Sequence, residues 1–188
     1  MNDEIKPGYD RVSDVASAFG NHGKIPKNIL DYAADRGTLI HELIYDLMND
    51  VFVKEERYLF CGKSIQGYID SFWKFWKPYE GNFVLSQEKR YYHEKDLITG
   101  QIDLLVNINN EPVLIDWKAT SAVGKHWEIQ AAGYFRLSGV NRALFVRLDK
   151  DGNFPEVTEY GPNDYLFGTA LDMYRMFFKD QKSNLEME

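Results

Sequence analysis

The stretch GQIDLLVNINNEPVLIDWKAT, residues 100–120, constrains this chain more than any other. Two runs of aliphatic and β-branched residues flank Asn109-Asn110. Asparagine tolerates the positive φ that a two-residue hairpin turn requires. With those two residues as the loop, Ile108 faces Glu111, and the pairing runs back until Asp103 faces Asp116 and Gln101 faces Lys118, with Leu105 facing Leu114 on the same side. The other side carries Ile102, Leu104 and Val106 against Val113, Ile115 and Trp117, an apolar face made for a core.

Directly opposed side chains in an antiparallel pair have Cβ atoms about 4.5–5.5 Å apart. Two carboxylates at that separation repel. A shared proton relieves the repulsion and raises one pKa; a divalent cation relieves it through oxygen ligation. The third arrangement is an ordinary surface ion pair with Lys118, which shares a face with Asp116 because strand side chains repeat every second residue. The hairpin alone leaves all three open, and a one-residue slip would put the aspartates on opposite faces.

Around the hairpin the periodicity is that of a mixed chain. A short helix in YDRVSDVASAFGNHGKIP is expected to be capped at Ser13 or Asp14 and to end at Gly20. A second begins near Asn28 with Leu39, Ile40, Leu43, Ile44 and Leu47 at helical spacing. A third runs from about Ser64 to Lys77 and stops at Pro78. Four strand-like runs follow, FVLSQEKRYY, TGQIDLLVNI, EPVLIDWK and RALFVRLD, with a helix over about 126–138 before the last. NFPEVTEY adds an edge strand, since Pro155 suits an edge, and a final helix runs from about 162–164 to 179. That order predicts an α/β (α+β) fold of three layers, with a central mixed β-sheet of four to five strands flanked by helices. Residues 1–188 read as a single domain: a helical N-terminal stretch (residues 1–80), a sheet-bearing stretch (residues 81–180) and a polar tail, 181–188, expected to fray.

Composition narrows the classes. Aromatics make up 15% of the chain and cluster at helical spacing in YIDSFWKFWKPY and DMYRMFFKD, which reads as core packing. A net charge of −7 excludes a general coat of basic residues but not a local cationic site. One cysteine, Cys61, cannot make an internal disulfide, a cysteine-ligated zinc site or an iron–sulfur cluster, and is expected to be a buried apolar thiol. With no signal sequence or long apolar span, no membrane association is expected, and the location is expected to be cytoplasmic.

Two helical motifs add to the hairpin. His41 lies in ADRGTLIHELI, where Gly37 leaves an opening one turn earlier and is expected to admit a close approach that offsets its cost to the helix. Gln130 and Tyr134 in EIQAAGYFRL are i and i+4, neighbours on one helix face. Taken together, His41 on a helix, Gly100 to Asp103 on a strand, Asp116-Trp117-Lys118 on the next and Gln130 to Tyr134 on the following helix resemble the RecB-like branch of the PD-(D/E)XK nuclease superfamily, in order. The segments RVSDV, KIP and AADRGTLIH are similar to small phage or prophage exonucleases of that family.

The resemblance implies a restriction-endonuclease-like core and a metal-dependent DNA exonuclease of phage or prophage recombination or repair. It implies Mg²⁺ or Mn²⁺, one or two ions, held by His41, Asp103, Asp116 and the backbone carbonyl of Trp117. It assigns Lys118 to the attacking water and the scissile phosphate, with Gln130 and Tyr134 positioning them. Glu88 in LSQEKRYY matches a family acidic position, as a further ligand or a support to one. Arg36 and Lys125 flank the motifs as candidate phosphate contacts, and Trp127 and Tyr134 are candidate stacking surfaces for unpaired bases at a DNA end, with Trp127 alternatively a core residue. The cysteine count places the chain with the cluster-free type, without an iron–sulfur cluster. Implied partners are linear DNA ends and a single-strand annealing protein. A restriction-type endonuclease of the same superfamily and a non-catalytic DNA-binding module retaining the fold are the competing readings.

Overall fold

The structure, a computed structural model, describes residues 5–20 and 25–179. A two-residue strand β1 (Asp10–Arg11) leads into α1 (Val12–Ser17) and the long α2 (Lys27–Met48). A minimal hairpin, β2 (Leu59–Phe60) and β3 (Lys63–Ser64), precedes α3 (Gln66–Trp76). Then come β4 (Phe83–His93), β5 (Ile98–Ile108), β6 (Glu111–Lys118), α4 (Trp127–Ser138), β7 (Ala143–Arg147), β8 (Glu156–Tyr160) and α5 (Asp164–Phe177).

The turn between β5 and β6 is the one the sequence predicts. Asn109 and Asn110 have φ of 53° and 65°, and Ile108 pairs with Glu111, Leu105 with Leu114 and Leu104 with Ile115. From β6 the chain crosses through α4 to β7, which pairs parallel to β6, and β8 closes that side antiparallel. β4 runs antiparallel along β5 from Phe83↔Asn107 to His93↔Ile98. The main sheet therefore has six strands among the described residues, more than expected; the extra one is β1, parallel to β5 over Asp10↔Ile98 and Arg11↔Thr99.

Helices cover both faces, giving the three layers. α2 and α3 bury Ile40, Leu43, Ile44, Phe72 and Phe75 against Leu104, Val106, Ile115 and Trp117. α1, α4 and α5 bury Val12, Ala131, Phe135 and Phe167 against Leu105, Leu114 and Phe145. α4 ends in the left-handed Gly139 at φ 72°, and α5 starts with the Asn163 side chain accepting a hydrogen bond from the Leu166 N–H. Gly133 is what lets α4 sit against its neighbours: a Cβ there would lie 2.5 Å from Phe167 and 2.6 Å from Val12.

Several expectations change. α1 begins at Val12 with Arg11 as its cap, so Ser13 and Asp14 lie inside the first turn, and the helix ends at Ser17, short of Gly20. α3 starts two residues later than expected because Ser64 belongs to β3 and its hydroxyl accepts from the Gln66 N–H. Cys61 is exposed, not buried; it and Gly62 form the β2–β3 turn with φ of 47° and 74°. Ile102 packs with the α4 cluster rather than beside Leu104. In DMYRMFFKD, Tyr174 is buried but Met176 and Phe177 are exposed. The tail 181–188 lies outside the described residues.

Candidate active site

β4 occupies one edge of β5 along most of its length, so β1 and β6 share the other. β6 pairs only as far as Leu104↔Ile115, and β1 takes up the edge only at Ile98 and Thr99. Between them, at Gly100–Asp103, the two-sided ladder lapses. The backbone groups of Trp117 that would have met β5 need other partners, since an unpaired buried amide is costly. Asp103 Oδ2 accepts from the Trp117 N–H at 2.8 Å, and the Trp117 carbonyl lies 2.9 Å from His41 Nε2. A carbonyl only accepts, so Nε2 carries the proton, and Nδ1 faces Asp103 Oδ2 at 3.4 Å. On either side of Asp103, Ile102 packs in the α4 layer and Leu104 in the α2–α3 layer, so the alternation of β5 is interrupted there.

Glu88 joins them from β4. Its neighbours pair as Gln87↔Leu104 and Lys89↔Ile102, which sets Glu88 across from Asp103. Its φ is 47°, a left-handed conformation a glutamate adopts at a cost of about 1–2 kcal/mol, and its carboxylate lies 3.9 Å from His41 Nδ1. Donor atoms of His41, Glu88 and Asp103 all fall within 4.8 Å of one another, a spacing that one cation can span.

Asp116, expected to share an ion with Asp103, is not one of these three: it lies on the α4 side of the gap, 2% exposed, beyond the last paired position Leu104↔Ile115. Lys118 Nζ is 2.7 Å from its Oδ2, a close charge-assisted contact. Lys118 also donates to Gln130 Oε1 at 2.9 Å, and its ammonium sits over the Phe145 and Trp127 rings. Gln130 Nε2 donates to the Tyr134 hydroxyl at 2.9 Å and reaches Asp116 Oδ1 at 3.4 Å. The i, i+4 pair on α4 thus ends in a fixed relay from tyrosine through amide to lysine.

Gly100, which opens the Gly100–Asp103 strand motif, makes that relay possible. A Cβ at 100 would lie 2.9 Å from Tyr134 Cε1 and 2.8 Å from Leu137 Cδ1. α4 can lie close on β5 only because that position lacks a side chain.

The electrostatics are those of acids crowded together in a buried site beside one imidazole and one ammonium. Burial disfavours the imidazolium of His41, but Asp103 and then Glu88 outweigh it and raise its pKa to about 9. Burial and then Asp103 push Glu88 up to about 7. Burial lifts Asp116 to about 6 against the pull of Lys118, and Asp103 adds to the rise. Burial also works against ionisation of Asp103, yet His41 beside it brings its pKa below the ordinary value. Burial and Asp116 hold the Tyr134 phenol well above its usual range.

The group opens into a cleft of about 930 Å³ between α2 and the sheet, lined by Gly37, His41, Glu88, Gln101, Asp103 and Lys118 among others. Gly37 meets nothing within 4 Å, so its missing side chain leaves open cleft rather than admitting a neighbour. Arg36 is half-buried, its Nη2 donating to the Ala119 carbonyl at 2.8 Å and its guanidinium over the Tyr68 ring. Lys125 is exposed on the loop before α4. Trp127 is 2% exposed and tilted against Phe145, so it is a core residue and offers no stacking surface; Tyr134, at 4%, offers none either.

The sequence matches no protein-family model and no curated protein. Among solved structures the chain is similar to an alkaline exonuclease, LHK-Exo, from Laribacter hongkongensis, with a TM-score of 0.50 at 14% identity, covering 96% of this chain and 92% of that one. The structure of LHK-Exo in complex with dAMP gives 0.51 at 15%, covering 96% and 91%. The likeness is one of fold: a central mixed sheet flanked by helices. No helix among the described residues is long and apolar enough to cross a membrane.

Proposed function

We propose that this chain is a metal-dependent DNA exonuclease of the RecB-like PD-(D/E)XK kind, hydrolysing phosphodiester bonds at DNA ends. One observation carries the reading: at the lapse in the ladder on β5, Glu88, Asp103 and His41 bring ligand atoms together, while Asp116 across the gap pairs with a lysine that a glutamine holds in place. The donor set fits a hard divalent cation. Glu88, Asp103 and His41 offer two carboxylate oxygens and a ring nitrogen within 4.8 Å of one another. His41, Asp103, Asp116, the Trp117 carbonyl and Glu88 would hold Mg²⁺ or Mn²⁺, the imidazole favouring Mn²⁺. When bound, such an ion supplies Lewis acidity toward the phosphate and an acidified water.

The protein's own groups do the rest. Lys118, aimed by Gln130, stabilises charge growing on the phosphate oxygens and helps hold the attacking water. Tyr134 fixes the Gln130 amide. Arg36 and Lys125 would be the phosphate contacts. LHK-Exo, an exonuclease solved with dAMP, supports DNA as the substrate class. A role in phage recombination or repair, with a separate annealing protein, extends the same reading.

The test compares linear and covalently closed DNA with Mg²⁺ or Mn²⁺, using wild type and Asp116→Ala. Wild type should shorten linear DNA and spare circles, and the variant should leave both intact. Equal activity in both proteins, or none in wild type with either ion, removes the reading. Discrete fragments from circles would make the protein an endonuclease.

A further inference from the structure

The β4 side of the cleft holds a hydrogen-bonded chain that the reaction chemistry leaves unused. Gln101 Nε2 donates to Glu88 Oε2 at 2.7 Å, and Arg90 Nη2 donates to Gln101 Oε1 at 3.2 Å. The two ends of a glutamine amide are chemically different, and a guanidinium has no acceptor. Arg90 therefore fixes which way the amide points, with its oxygen toward Arg90 and its NH₂ toward Glu88. A flipped amide would set oxygen against carboxylate and leave Arg90 facing donors. Glu88 has one oxygen engaged by this amide, while the other lies toward His41 Nδ1 at 3.9 Å.

We infer that Gln101 and Arg90 are positioning residues which hold the Glu88 carboxylate turned into the donor cluster, and so set the affinity of that cluster for a divalent cation. The inference rests on the proposed reading of His41, Glu88 and Asp103 as cation ligands. Glutamate loses rotamer freedom when it is fixed as a ligand, and a support made before the ion arrives removes some of that cost. The left-handed φ of 47° at Glu88 points the same way, because the strand accepts strain there in an arrangement that brings this carboxylate over the gap.

Gln101 is exposed, so Gln101→Leu should fold as wild type, checked by circular dichroism. Mn²⁺ affinity is measured by calorimetry, with no DNA present. Loss of such a supporting partner typically weakens metal affinity about 10–100-fold, and Gln101→Leu should fall in that range. Arg90→Leu, which frees the amide to flip, should weaken it less but in the same direction. In a Glu88→Gln background, Gln101→Leu should add almost nothing. With DNA present, Gln101→Leu should need more Mn²⁺ for half-maximal rate, while its rate at saturating Mn²⁺ stays near wild type. Wild-type Mn²⁺ affinity in folded Gln101→Leu, or an equal loss with and without Glu88, overturns the inference and leaves the nuclease reading standing. A folded wild type that takes up no Mn²⁺ overturns both.

Discussion

Two glycine-to-alanine substitutions of opposite sign test whether α4 and β5 meet as described. At Gly100 the added methyl would lie 2.8 Å from Leu137 Cδ1 and 2.9 Å from Tyr134 Cε1. Leu137 can rotate, but the Tyr134 ring is buried and tied through its hydroxyl to Gln130. Overpacking of this kind costs about 1–3 kcal/mol, and alanine returns about 0.5–1 kcal/mol of backbone entropy relative to glycine. The net loss is about 0–2.5 kcal/mol, against a gain of about 0.5–1 kcal/mol if the methyl met nothing; a loss of about 2 kcal/mol lowers Tm by roughly 4–8 °C in a chain of this length. Gly37→Ala is the control, since nothing lies within 4 Å of its added methyl and the position is inside α2. It should stabilise by about 1 kcal/mol. Thermal melts and urea titrations of the two variants beside wild type make the measurement. The proposed nuclease activity should also fall in Gly100→Ala, because displacing Tyr134 loosens Gln130 and hence Lys118. A Gly100→Ala protein more stable than wild type by about 0.5–1 kcal/mol would refute the close approach of α4 to β5.

Four further outcomes follow from the site and its surroundings. Uptake of Mn²⁺ must displace protons from His41 and Glu88, whose pKa values are raised to about 9 and about 7; affinity should rise between pH 6 and 9, and calorimetry in two buffers of different ionisation heat should show proton release, whereas buffer-independent heats would contradict it. In the metal-free protein, His41, Glu88 and Asp116 all bind protons more tightly folded than unfolded, so their contribution to stability is greatest at low pH and is lost as pH rises to about 9; urea midpoints at pH 6 and 9, with and without Mn²⁺, read this directly, and a metal-free midpoint higher at pH 9 would count against it. Lys118→Met strands the buried Asp116 and should cost about 3 kcal/mol at pH 8, most of it recovered by adding Asp116→Asn; an additive double variant would show that the pair does not interact. Cys61, exposed on the β2–β3 turn, should react with a thiol reagent in the native protein at one equivalent, and a need for denaturant would place it inside.

What is legible in the sequence is what local pattern encodes. The hairpin can be read to the residue because two asparagines with positive φ set the turn, and a turn sets register. α2, α3 and α4 can be read from apolar spacing within their own length. β1 and the β2–β3 pair cannot, because strands of two residues have no period. Cys61 reads as buried because cysteine usually is, while its place is decided by a turn that the flanking residues only weakly announce. Trp127 stands equally for stacking or packing until the position of β7 brings Phe145 beneath it. Glu88 carries no mark of its left-handed φ, since nothing in LSQEKRYY asks for glycine-like geometry.

The site is legible as a set of residues but not as a shape, and the difference matters for mutagenesis. The hairpin register places Asp103 and Asp116 opposite each other on one regular face. In the fold the ladder stops one pair short, and Asp103 spends an oxygen on the Trp117 N–H while His41 meets the Trp117 carbonyl. These two residues therefore close the sheet as well as offering ligand atoms. Removing either leaves a buried backbone group unpaired, worth about 1–3 kcal/mol, so lost activity in His41→Ala or Asp103→Ala mixes damage to the fork with damage to the chemistry. Asp116 touches Lys118 and Gln130 and leaves both Trp117 bonds in place. Asp116→Asn, nearly isosteric and still able to face Gln130, is thus the substitution whose loss of activity can be assigned to the carboxylate itself, provided its urea midpoint stays near wild type.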